Sequence, residues 1–224
     1  MFTVLRYLDW SVILDMLLSV IPALICITLH ELSHGFVAYK LGDTTAKEQG
    51  RLTLNPLKHI DIIGLIMMAF FHFGWAKPVP VNMYRFKNPK RGMAITALAG
   101  PVSNIIIAVV FMALYGFLWP LLYASGVGSV ILDMINTTAI ISIGFGIFNI
   151  IPIPPLDGSK ILFSFVPQHI YKNLMRYERY GMIILIALIY FGALDGFLDT
   201  AVVFIYEKLF VVAQAANSLA NLIF

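Results

Sequence analysis

Between Met93 and Leu132 the chain runs forty residues without an Asp, Glu, Lys or Arg. Two further blocks, Met16–Leu29 and Met134–Leu156, are likewise uncharged. Eighteen or more apolar residues in a row suffice to cross a bilayer, and inside one only helices or closed barrels satisfy the backbone. Composition agrees: 60% of the 224 residues are apolar and 12% charged, against about 25% charged in soluble domains. The expectation is an all-α polytopic membrane protein. Its apolar segments number five to six, at about 11–39, 62–76, 93–118, 129–151, 181–194 and 197–222. The last two read either as two short spans or as one span plus an interfacial helix. With no linker tract and no fixed-period repeat, a single membrane-embedded domain over 1–224 is expected, with a core at about 20–165 and C-terminal helices at about 180–223.

The basic residues set the orientation. Fifteen residues with Gly64, His72 and Gly74 make a poor span at 62–76. If that segment is re-entrant, Lys40, Lys47, Arg51 and Lys58 share a side with Lys77, Arg85, Lys87, Lys90 and Arg91. Lys160, Lys172, Arg176 and Arg179 return to that same side. Thirteen of the fifteen Lys and Arg then lie on one face, as expected of the cytoplasmic side of a cell membrane. Topology accounts for the net charge of +3, so nucleic acid is not an expected partner. Cys26 is the single cysteine, set in an apolar run where no intrachain disulfide is possible.

At the inner end of the first span stands His30-Glu31-Leu32-Ser33-His34. Residues four apart on a helix are separated by about 40° and about 6 Å, so both imidazoles reach one metal while Glu31 addresses a nearby water. Counting from Lys40, His34 lies roughly 9 Å and His30 roughly 15 Å deep, where ionisable groups are costly unless they pair or bind something. A catalytic zinc takes three protein ligands. The span at 129–151 runs inward and ends in Asn149-Ile150-Ile151-Pro152-Ile153-Pro154-Pro155-Leu156-Asp157-Gly158, whose prolines break the helix and turn the chain back. Asp157 is then either the third ligand or an N-cap for a helix at 158–165.

These motifs resemble the site-2 intramembrane metalloproteases, and so do Ala99-Gly100-Pro101-Val102-Ser103-Asn104 and Gly74-Trp75-Ala76-Lys77-Pro78-Val79-Pro80-Val81-Asn82. The resemblance implies a three-helix catalytic core with a small re-entrant β segment. It implies one zinc at His30, His34 and Asp157, with Glu31 as base. It also implies substrate contacts at Asn149 and along Pro78, Val79 and Val81, and Asn104 is a candidate for the lining. Membrane proteins would be the substrates, cut within or next to their transmembrane segments towards the cytoplasmic side. The chain is similar to the minimal subgroup without a PDZ domain. A CAAX-type protease fits less well, since it takes a Glu as third ligand and no Glu occurs between Glu48 and Glu178. A metal transporter would need ionisable groups through both leaflets.

Overall fold

The computed structural model describes residues 10–62, 64 and 75–224. Among the described residues seven α-helices follow one another: α1 (Trp10–Lys40), α2 (Thr45–Glu48), α3 (Pro89–Leu122), α4 (Gly126–Ile150), α5 (Asp157–Phe163), α6 (Gln168–Tyr190) and α7 (Asp195–Ile223). Among the described residues three stretches are long and apolar enough to cross a membrane: Leu18–Lys40, Pro89–Leu122 and Gly126–Ile150. Tyr180–Tyr190 and Asp195–Ile223 form a pair bent by 82°, which counts as a fourth if the two make one broken span. The described residues therefore hold three spans, or four with the bent pair, in an all-α polytopic membrane fold. The expected re-entrant segment at 62–76, with His72, lies almost wholly outside them.

Local chemistry fixes the helix ends. Asn88 caps α3 through Arg91 N, with Pro89 in the first turn, and Ser125 caps α4 through Gly128 N. At the far end of α1 the chain turns through Gly42, whose φ of +105° suits glycine. Pro152, Pro154 and Pro155 follow directly on Ile150 and cannot continue α4.

Helix α3 is the central post, packing along α1, α4 and α7. Lipid supplies no hydrophobic push between helices, so close packing of small residues holds them. Buried Met112, Ala139 and Ala213 join α3, α4 and α7. At Gly116 a Cβ would lie 1.9 Å from the Ala213 carbonyl oxygen, so only glycine lets α7 approach that closely.

The described parts of the connection from α1 to α3 fold back over the Lys40 end of α1. An antiparallel bridge joins Ile60 to Ala76, and it is the sole β pairing among the described residues. Lys77 N donates to His59 O (2.9 Å), the Arg51 guanidinium to Lys77 O (2.8 Å), and Asn82 N to the buried Asp43 carboxylate (2.6 Å). The β segment expected at 76–82 is thus an extended strap without a ladder. Pro78 and Pro80 have no N–H to give one. Both flanks, 40–62 and 75–91, sit at the same end of the helices, as the charge argument requires. Glu48 pairs with Arg85 at 2.8 Å on this exposed side. Hydrogen bonds from Arg85 and Thr44 hold the Glu48 carboxyl below the usual carboxylate range.

Candidate metal centre

His30 and His34 project from consecutive turns of α1, and Asp157 reaches them from the first residue of α5. The three are buried together. Nε2 of His34 lies 3.0 Å from Nε2 of His30 and 3.0 Å from Oδ2 of Asp157, and His30 Nε2 lies 3.2 Å from that oxygen. Asp157 makes no capping bond, and Leu156 occupies the N-cap position of α5. The carboxylate is turned into the site instead of capping its own helix.

The tautomer of one imidazole follows from its surroundings. His34 Nδ1 lies 2.7 Å from the Thr96 carbonyl oxygen, which can only accept, so Nδ1 carries the proton and donates. In the neutral ring Nε2 then presents a lone pair to the site, a common second-shell device around metals. That lone pair faces the carboxylate oxygen at 3.0 Å, a repulsive contact unless a proton or cation lies between. A tetrahedral zinc with bonds of about 2.0–2.1 Å separates its ligands by about 3.3–3.4 Å. The observed edges of 3.0–3.2 Å are close to that triangle. Donor types, convergence and burial fit zinc.

Space for the site is kept by Gly100 on α3. A Cβ there would lie 2.5 Å from His30 Cε1, His34 Cε1 and His34 Nε2. Glu31 lines the same cavity as His30, His34 and Asp157, and its Oε2 accepts a hydrogen bond from Val79 N at 2.7 Å. The strap therefore docks directly on this carboxylate.

Two cavities meet at His30 and Glu31. One, about 300 Å³, is lined by Pro78, Val79, Val81, Thr96, Asn149 and Lys160 besides the ligands and Glu31. The other, about 330 Å³, is apolar and runs along Val20, Leu24, Ile27, Phe148, Met182 and Leu185 to His30 and Glu31. Asn149 and Pro78 border both, and the Asn149 amide donates to Phe145 O.

Of the residues expected from sequence, Asn104 does not join this assembly. It is fully buried in α3, its backbone carbonyl accepts from Ser142 Oγ, and it lines neither cavity. It sits one helical turn beyond Gly100, about 6 Å further along α3. Cys26, one turn before His30, donates its thiol to Thr138 O on α4. His59 is buried and donates from Nε2 to Thr53 O. Thr96, Gly100 and Lys160 are site residues that sequence reasoning missed.

The sequence profile of peptidase family M50 matches residues 124–192. YwhC of Bacillus subtilis, named as a candidate zinc metalloprotease, is 40% identical over 175 residues, covering 75% of this chain and 78% of that protein. Rip2 of Mycolicibacterium smegmatis, named likewise, is 30% identical over 179 residues, 77% of this chain and 66% of its own length. Rip2 of Mycobacterium tuberculosis strain H37Rv is 26% identical over 191 residues, 82% and 71% of the respective lengths. No solved structure matches the chain. A buried His-His-Asp triangle among apolar helices and this degree of likeness lead to one assignment: the chain belongs to peptidase family M50, the zinc metalloproteases of the site-2 type.

Proposed function

We propose that the protein, as one membrane-embedded domain, hydrolyses peptide bonds within or beside transmembrane segments of other proteins, using one zinc held by His30, His34 and Asp157. The observation that carries this reading is where the ligand triangle and Glu31 stand. His30, Glu31 and His34 lie on an apolar helix about 9–15 Å from its Lys40 end, Asp157 reaches them from α5, and an apolar cavity meets a more polar one there.

Zinc bound there supplies Lewis acidity, polarising the scissile carbonyl and lowering the pKa of a water. Glu31 takes the proton from the attacking water and delivers it to the leaving amine. Val79 N–H, donating to Oε2, leaves the other carboxylate oxygen free for that transfer. The apolar cavity receives the substrate segment, and the polar one admits water from the cytoplasmic side of the cell membrane.

A substrate helix hides its carbonyls and must unwind before attack. The strap offers an edge for the unwound stretch. Residues 77 and 79 point their N–H groups inward to His59 O and Glu31. The carbonyls of Pro78 and Pro80 carry no hydrogen bond within the described chain, so strand addition would run through substrate N–H donors. Asn149, beside the ligands, is placed to hold the substrate backbone.

The test is cleavage in proteoliposomes of a single-span substrate, with product masses fixing the cut. Cleavage inside or next to the apolar segment, absent in Glu31→Gln, supports the proposal. Cleavage confined to soluble peptides would refute it.

A further inference from the structure

We infer that Lys160 is a positioning residue that holds Asp157 to a single ligating oxygen and so keeps one coordination position open for water and substrate. This rests on the metalloprotease reading above. The two oxygens of Asp157 are used differently. Oδ2 faces both imidazole nitrogens at 3.0–3.2 Å, whereas Oδ1 faces the Lys160 ammonium at 3.5 Å. Both side chains come from α5, three residues apart and so on one face of the helix. Among the described residues Lys160 is the sole partner of Oδ1, and it is the one cation among the residues that line the polar cavity.

A lysine in the wall of a dication site works against metal affinity, because like charges repel strongly where water is scarce. Its contribution is therefore geometric. Carboxylates bind metals through one oxygen or two. With Oδ1 free, Asp157 would chelate and take up the place that a catalytic zinc leaves to water and that expands during reaction. With Oδ1 engaged by an ammonium, the carboxylate cannot rotate into chelation without abandoning a half-buried charge partner.

The experiment loads the full-length protein in detergent with Co²⁺ in place of zinc. It records visible absorption and affinity against a chelator for wild type, Lys160→Met, Lys160→Gln and Lys160→Arg. Wild type and Lys160→Arg are expected to give the intense bands of four-coordinate cobalt. Lys160→Met and Lys160→Gln should give the weaker five-coordinate pattern and bind cobalt about tenfold more tightly, from lost repulsion and added chelation. Unchanged spectra in both neutral variants would overturn the inference. So would a loss of affinity, the mark of a supporting clamp, which costs about 10–100-fold. A wild type that takes up no cobalt would overturn the metal-site reading itself along with it.

Discussion

Gly100→Ala is the sharpest perturbation of the site that leaves every ligand in place. The new methyl would lie 2.5 Å from three ring atoms, one of them His34 Nε2. Carbon contacts settle at about 3.5–4.0 Å, so both imidazoles must retreat by about 1 Å. Metal bonds tolerate only about 0.2 Å. His34 has little freedom to yield, because its Nδ1–H is held by the Thr96 carbonyl at 2.7 Å. Overpacking of this kind costs about 1–3 kcal/mol, which corresponds to a loss of zinc affinity of about 5- to 150-fold. Chelator competition on the purified protein reads that loss, and Gly144→Ala on α4 is the control, since a Cβ there meets nothing within 4 Å. Alanine favours a helix over glycine by about 1 kcal/mol, so general unfolding is not the expected cause. Equal zinc affinity in Gly100→Ala and wild type would refute the geometry of the site.

Further outcomes follow from the strap and the metal. Val79→Pro keeps an extended backbone but removes the N–H that donates to Glu31. Hydrogen bonds to charged groups contribute about 1.5–3 kcal/mol, so kcat/KM should fall about 10- to 150-fold at unchanged zinc content, and undiminished turnover would exclude the contact from catalysis. Arg51→Ala strips Lys77 O of its donor. Faster limited proteolysis within 75–82 and weaker cleavage are expected, and an identical digestion pattern would mean that the strap is held elsewhere. Zinc at a hundred times its Kd should stabilise wild type by about 2.7 kcal/mol in thermal unfolding. Asp157→Ala should lose that increment, and retaining it would remove Asp157 from the ligand set.

The sequence makes the histidine pair legible because helical spacing alone puts His30 and His34 on one face at a depth where they must pair or bind something. Asp157 is harder. Its position after three prolines suits a cap as well as a ligand, and only the packing of α5 against α3 shows its side chain turned to the histidines. Thr96 is invisible because a backbone carbonyl has no residue identity to recognise. Gly100 reads as helix packing, and only the built structure shows that what packs there is a pair of imidazoles. Lys160 counts as one more inner-face charge until its distance to Oδ1 is known. Asn104 shows the converse: a polar residue in an apolar span invites a role in the site, yet it is buried one helical turn from Gly100 and lines neither cavity. At the C-terminal end hydropathy cannot place a bend. Gly192, with φ of +65°, and the turn at 191–194 divide α6 from α7 at 82°.

The central claim is that His30, His34 and Asp157 hold a zinc on which Glu31 acts as base. Zinc content and cleavage of a single-span substrate, measured on the same preparations of wild type, Glu31→Gln and Asp157→Ala, test it most directly. The account predicts about one zinc per chain and cleavage for wild type, zinc without cleavage for Glu31→Gln, and neither for Asp157→Ala. Full zinc in Asp157→Ala, or cleavage by Glu31→Gln, would contradict it.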